Sequence, residues 1–173
     1  MLNLFSRGNT DKATAGSLYT AVVTRAREPV FFVTFGVSDT LDGRFDLLTL
    51  HAWLVLDHLG KDSAHAGLAQ AFVDRVFVGF DEALRELGAG DMGMGRRMKK
   101  LADAFYGRLK AYCEAAQSDA PQEAMADALT RNLYRGAEVA LAAPMAAYVL
   151  KAKQHLSLTP EGAVDFGALP NAA

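Results

Sequence analysis

The strongest constraint on the fold is the spacing of apolar residues, which recur at three- and four-residue steps along most of the chain. The clearest case covers residues 63–87 and predicts an amphipathic helix whose apolar face carries Leu68, Phe72, Val76, Phe80, Leu84 and Leu87. The same spacing predicts further helices over residues 17–28, 44–59, 96–117, 122–134 and 137–155. Because an amphipathic helix must bury its apolar stripe against another element, the sequence predicts an all-α fold.

Segments without this spacing mark the limits of the domain. Residues 1–16 are rich in small and polar residues, and residues 157–173 carry two prolines and two glycines. We expect a flexible arm over 1–16, a compact multi-helix domain over 17–156 and a loose tail over 157–173. The apolar run 30–35 fits a strand or a helix by periodicity alone, and it has no strand partner elsewhere in the sequence. We therefore interpret it as an extended, core-packed connector.

The overall composition argues against several classes of protein. The formal net charge is only −2, so no field over the whole molecule attracts nucleic acid. Cys113 is the single cysteine and has no partner for an internal disulfide. The longest uncharged apolar stretch, residues 139–150, is shorter than the roughly 20 residues that a bilayer-spanning helix needs. With no secretory signal pattern at the start, we expect a reducing, cytoplasmic location.

A glycine-rich segment at 88–93 matches the G-x-G-x-x-G pattern of dinucleotide-binding loops. That pattern binds pyrophosphate only between a strand and a helix, and here a predicted helix precedes it. We interpret 88–95 as a loop between two helices. No His-Glu-x-x-His motif, cysteine pair or nucleophile motif is present, so we expect no metal, no cofactor, no small-molecule substrate and no catalysis.

The start of the helix after that loop breaks a local rule. Arg96, Arg97, Lys99 and Lys100 crowd its first turns, where cations oppose the helix dipole. A departure of this kind often marks a functional surface, although a solvated face is the alternative. Gly107, in the same helix, suggests that another group packs closely there.

Several linked motifs resemble the ubiquinol-cytochrome c chaperone family. The residues that carry the resemblance are Asp39-Thr40-Leu41-Asp42-Gly43-Arg44-Phe45-Asp46-Leu47, Leu50-His51, Asp81-x-x-Leu84-Arg85-Glu86-Leu87-Gly88-x-Gly90-Asp91, Arg97-Met98-Lys99-Lys100 and Phe105-Tyr106-Gly107-Arg108. The resemblance implies a single-domain assembly chaperone without catalytic activity. It also implies a role in building the cytochrome bc complex by holding newly made cytochrome b.

The residues around the start of the 44–59 helix and those around the start of the 96–117 helix are candidates for partner binding. Methionines would add adaptable apolar surface beside the cations, whereas Asp39 and Arg44 have the alternative role of capping and pinning the start of their helix. The candidates are Asp39, Arg44, His51, Gly90, Asp91, Met92, Met94, Arg96, Arg97, Lys100, Tyr106 and Arg108.

Two questions about partners stay open at this level. The basic helix start also suits an RNA- or ribosome-surface-binding module, which is the alternative function. Binding to the ribosome near the tunnel exit, and a peripheral position at the inner membrane face through the client, both follow from the resemblance as expectations. DNA is not an expected partner.

Overall fold

The structure is a computed structural model that describes residues 2–60, 63–86, 88, 91–160 and 162–170. Its α-helices are α1 (Leu2–Ala26), α2 (Pro29–Val33), α3 (Leu41–Leu59), α4 (Ala66–Glu86), α5 (Asp91–Ala116), α6 (Pro121–Asn132) and α7 (Val139–Leu156), with a 3₁₀ turn at Ser63–His65. No strand occurs in these ranges, and the helices share one main core. The predicted all-α, single-domain fold is confirmed.

Helix α3 lies at the centre of the bundle. Eleven of its 19 residues are buried, including Leu47, Leu50 and Trp53. It packs against α1, α5 and α7. A helix with this many buried positions has to be enclosed by its neighbours, which explains why α3 organises the core.

Helix α1 begins at Leu2, so the prediction that helical structure starts near Ser17 is wrong. Its early turns pack on two other segments: Asp11 lies against Gly67 at the start of α4, and Thr14 lies against Gly162 beyond α7. Ala15 is buried. Small residues in these turns allow close approach, and they also weaken the apolar periodicity on which the prediction relied.

Helix α2 replaces the predicted extended connector. Pro29 occupies its first turn, where the fixed φ of proline suits a helix start and the missing N–H is not needed. Phe31 is fully buried, and Thr34 donates its backbone N–H to Val30 to close the turn. A single helical turn is too short for periodicity to distinguish it from a strand.

The contact between α1 and α4 depends on a glycine. A Cβ atom at Gly79 would lie 2.0 Å from the Tyr19 hydroxyl oxygen. The Arg75 guanidinium, one turn earlier on α4, lies over the Tyr19 ring at 4.3 Å from its centroid. The glycine therefore makes the notch in α4 that holds the tyrosine.

Two predictions around α5 are also wrong. The helix begins at Asp91, inside the segment interpreted as a loop over 88–95. Gly107 has no neighbouring atom within 4 Å of where a Cβ would stand, so no close approach explains it.

Pro144 lies inside α7 without ending the helix, because a proline removes one backbone hydrogen bond and leaves the others in place.

No helix in the described part of the chain combines the length and the apolar character needed to cross a bilayer. The residues after α7 contain no helix in the range 162–170, yet Phe166 is buried at 6 % exposure. This part of the predicted tail therefore packs on the bundle.

Candidate functional site

The basic start of α5 is an exposed surface. Arg96, Arg97, Lys99 and Lys100 are all exposed, and none of them forms an ion pair with another described residue. Cations at a helix N-terminus oppose the backbone dipole, at about 0.3–1 kcal/mol each. Since no acidic partner within the described fold compensates for them, these four side chains are available to an external partner.

The methionines near this surface are divided by burial. Met94 is only 9 % exposed and forms a small cluster with Leu84, separate from the main core, with Met98 and Leu101 packed against it. Met94 therefore joins α5 to α4 and does not present open apolar surface. Gly90 lies outside the described residues, and so do the side chains of Asp91 and Met92.

Tyr106 lies farther along α5 and is 53 % exposed. Its ring stacks on Phe77 of α4, with 6.0 Å between centroids. Val78, the next residue on α4, is 49 % exposed. The structure thus places a half-exposed aromatic residue over the α4–α5 contact.

Arg108 is placed differently from the other basic residues of α5. Its side chain is 15 % exposed, and its Nη2 atom lies 2.8 Å from Oδ1 of Asp46, which is fully buried. Its guanidinium also lies 5.3 Å from the centroid of the Phe45 ring. Arg108 therefore belongs to the interior, and little of it can reach a partner.

Asp46 is the centre of this buried charge network. Arg135, in the loop before α7, donates from Nη2 to Asp46 Oδ2 at 3.0 Å and from Nη1 to Asp42 at 3.0 Å. Burial raises the pKa of Asp46, and the two guanidiniums oppose that change. The network joins α3, α5 and the loop before α7.

The start of α3 holds Asp39 and Arg44 together. Arg44 Nε donates to Asp39 Oδ1 at 2.7 Å, and both side chains are more than half exposed. Thr40 is the N-cap, because its hydroxyl accepts from the Gly43 N–H at 3.2 Å. Asp39 and Arg44 thus pin the start of the helix as the structural alternative predicted, although the cap itself is Thr40.

His51 is not on this surface. It is fully buried, two turns into α3, and its Nδ1–H donates to the Leu47 carbonyl at 2.8 Å. With that proton placed, Nε2 accepts from the Tyr148 hydroxyl, also at 2.8 Å. Burial is the largest cause that lowers its pKa, to about 4, so His51 is uncharged at neutral pH.

Comparison with known proteins decides the family. The family description "Ubiquinol-cytochrome C chaperone" matches residues 33–167, which is most of the chain. The chain belongs to the ubiquinol-cytochrome c chaperone family. Its predicted membership is confirmed, and a family of chaperones is not a class of catalytic enzymes.

Two relatives of this chaperone illustrate the match. A crystal structure of the Cbp3 homolog from Brucella abortus is 39 % identical, with a TM-score of 0.78 over 92 % of this chain and 90 % of that one. The ubiquinol-cytochrome-c reductase complex assembly factor 1 of Xenopus laevis is 27 % identical over 124 residues. The alignment covers 70 % of this chaperone and 60 % of the length of that relative.

The structure also shows chaperone surface that sequence reasoning missed. Three of the exposed large aliphatic residues belong together: Val33 at 84 %, Leu41 at 54 % and Val139 at 57 %. They lie in segments that meet at one end of the bundle, where Arg135 contacts Asp42 and a Cβ at Gly36 would touch the Leu141 side chain. An apolar residue at a helix start between polar turns, such as Leu41, is the signal that the sequence offered.

The backbone before α7 is unusual at this same end. Arg135 and Glu138 have φ values of +53° and +46°, in the left-handed region that non-glycine residues seldom adopt. Such conformations persist where surrounding contacts hold the chain in place, and the side chain of Arg135 is held by ion pairs with Asp42 and Asp46. Of the predicted site residues, Arg96, Arg97 and Lys100 lie together with Lys99 on what we call the α5-start surface. Asp39 and Arg44 lie with the newly found Val33, Leu41 and Val139 on what we call the α3-start surface. His51, Met94 and Arg108 belong to the interior.

In the described ranges, no group of three or more histidine, cysteine, aspartate and glutamate side chains is arranged to hold a metal ion.

Proposed function

We propose that this chaperone binds newly made cytochrome b and holds it during assembly of the cytochrome bc complex. The α5-start surface is the observation that carries the proposal. Four exposed cations stand where they destabilise their own helix and have no described acidic partner. A functional partner that supplies the opposite charge would account for cations at this position.

The α3-start surface supplies the second kind of contact. A membrane protein before assembly presents apolar helices joined by polar loops, so its chaperone needs apolar contacts beside charges. Leu41 and Val33 are exposed apolar side chains, and the Asp39–Arg44 pair stands next to them in the sequence. This combination of an apolar centre and a polar rim is typical of protein interfaces.

Client capture tests the α5-start surface directly. In the triple variant Arg96→Glu, Arg97→Glu, Lys100→Glu, the amount of cytochrome b that co-purifies from detergent extracts should fall by roughly an order of magnitude, because like charges across an interface cost several kcal/mol. The triple variant Arg27→Glu, Arg131→Glu, Lys151→Glu is the matched control. Its residues are also exposed, and it changes the net charge by the same amount.

The two triple variants have to be compared at equal folding, measured by circular dichroism and thermal unfolding. Equal capture by both would show that the α5-start surface is a solvated face. Photo-crosslinking in cells from positions 36–51 and 88–108, with the partners identified, would then show which client is bound and where. Crosslinks to other proteins, with none to cytochrome b, would refute the proposed client.

The same four cations favour one second candidate, an RNA or ribosome surface. Binding to phosphates releases counterions, so it falls steeply as salt rises. The net charge of −2 argues against it. This candidate would be favoured if the wild-type chain binds RNA at low salt in the absence of cytochrome b. The α5 triple variant should then have lost that binding. If cytochrome b is the client, the chaperone is also expected at the inner membrane face, and the crosslinking experiment tests both proposals.

A further inference from the structure

A short segment after α7, residues 162–170, fills a socket on the bundle, and we refer to it as the strap. Phe166 of the strap is 6 % exposed. Its ring meets the His51 ring edge-to-face, with 5.3 Å between centroids and an angle of 89°. The Arg25 guanidinium covers it at 5.6 Å from the ring centroid. The socket thus holds one aromatic side chain between an imidazole and a guanidinium.

The socket also binds the main chain of the strap. Arg25 Nη2 donates to the carbonyl oxygen of Gly167 and, at 3.4 Å, to that of Ala168. His155 Nε2 lies 3.0 Å from Asp165 Oδ2, and Asp165 Oδ1 accepts from the Gly167 N–H at 2.8 Å. Side chains that satisfy main-chain carbonyls of an irregular segment are the kind of contact by which proteins bind extended peptides.

A glycine is required directly after the aromatic residue. Gly167 has a φ of +69°, and a Cβ there would lie 3.2 Å from Cγ of His155. The socket therefore selects for an aromatic residue followed directly by glycine, and an apolar side chain alone is not sufficient.

Beyond Phe166 the strap is packed incompletely. A cavity of about 350 Å³ lies between it and α7, lined by Ala147 and Lys151 on the helix side and by Leu169 on the strap side. A segment without helical structure, held at a few points over a cavity, has fewer contacts to break on leaving than the helices have. Release of the strap would remove Phe166 from the edge of the main core and leave the contacts between the helices in place.

We propose that Arg25, His51, Tyr148 and His155 form a recognition socket for an extended protein segment with an aromatic–glycine pair, which the strap occupies within the same chain. Tyr148 contacts two other members of the socket, since its hydroxyl binds His51 and the Arg25 guanidinium lies 5.7 Å from its ring centroid. A partner segment of the same chemistry enters when the strap leaves. This inference does not depend on cytochrome b being the client.

Binding of a labelled peptide of residues 162–170 to the full chain tests the socket. The peptide should bind the Phe166→Ala chain about tenfold or more tightly than the wild-type chain, because a tethered competitor acts at an effective concentration of millimolar order. The matched control is the same peptide with alanine at position 166, which should bind neither chain. Fluorescence anisotropy gives the affinities, and circular dichroism shows that the variant is folded.

Equal binding of the peptide to both chains, or no binding to a folded Phe166→Ala chain, would overturn the proposal. A second measurement covers the case in which that variant does not fold. In the wild-type chain, diethyl pyrocarbonate should modify the buried His51 faster than the chain unfolds, and excess peptide should slow the reaction. Modification of His51 only at the unfolding rate would equally overturn the proposal.

Discussion

Asp46 belongs to a sequence motif that suggests a functional residue, but its role in the structure is to hold the fold together. It lies within the motif that carries the family resemblance, but it is fully buried with two arginine partners. An ion pair in the interior gains little net stability over apolar residues, yet breaking it leaves an uncompensated charge. The identity of Asp46 is therefore explained by what surrounds it and not by contact with a client.

Replacing Asp46 by asparagine should be destabilising. The Asp46→Asn chain leaves Arg108 and Arg135 without their shared carboxylate, and a lost hydrogen bond to a charged group costs about 1.5–3 kcal/mol. Arg135 is half exposed and keeps Asp42 as a partner, and burial already opposes the charge of Asp46, so the loss stays within this range. Urea unfolding monitored by Trp53 fluorescence measures the loss. Asp39→Asn is the matched control, since it removes the same charge from an exposed pair with Arg44 and should change stability little.

A similar loss in both asparagine variants would contradict the distinction between the buried network and the exposed pair. It would then follow that Asp46 is more hydrated than its position indicates.

At the scale of elements, the sequence predicted what depends on local periodicity. Helix α4 was predicted over 63–87 and spans Ala66–Glu86, because its apolar residues lie on one face. Helix α2 was missed because one turn carries no periodicity. The partners of Asp46 on α5 and in the loop before α7 could not be predicted, since they depend on how distant segments pack.

Two glycines inside helices differ in whether packing requires them. In the first turn of α3, a Cβ at Gly43 would lie 2.0 Å from the backbone oxygen of Ser38. At Gly107 in α5 nothing lies within 4 Å. Only the first glycine is required by packing, although the sequence suggested the second.

The variants Gly43→Ala and Gly107→Ala should therefore change stability in opposite directions. Gly43→Ala forces a backbone shift at the α3 start and should lower the free energy of unfolding by about 1–3 kcal/mol. Gly107→Ala improves helix propensity in open space and should raise it by roughly 0.5–1 kcal/mol. Chemical denaturation of both variants measures the two effects, and a stabilised Gly43→Ala chain would refute the close approach to Ser38.

For the whole molecule, the buried His51 couples stability to pH. Its pKa is about 4 in the folded chain against 6.5 as the ordinary value. As pH falls from 6.5 towards 4, the unfolded chain takes up a proton that the folded chain does not, so the folded state loses stability across this window. Above it, the contribution from His51 is fully present.

The difference between wild type and His51→Gln should show this coupling. Between pH 6.5 and 4 the wild type should lose about 3 kcal/mol more than the variant, since each pKa unit is worth about 1.4 kcal/mol. Denaturant unfolding at several pH values gives the two curves. The His58→Gln chain, which loses an imidazole at a partly exposed position of the same helix, is the matched control. Parallel curves for wild type and His51→Gln would show that His51 is not the group responsible.

The first turns of α5 are attached to the molecule at two places. Met94 forms a small cluster with Leu84, and Met98 and Leu101 pack against both this cluster and the main core. The cationic start of α5 is therefore held in position before any client arrives. A client that binds there meets a pre-organised surface, and little free energy is lost in ordering it.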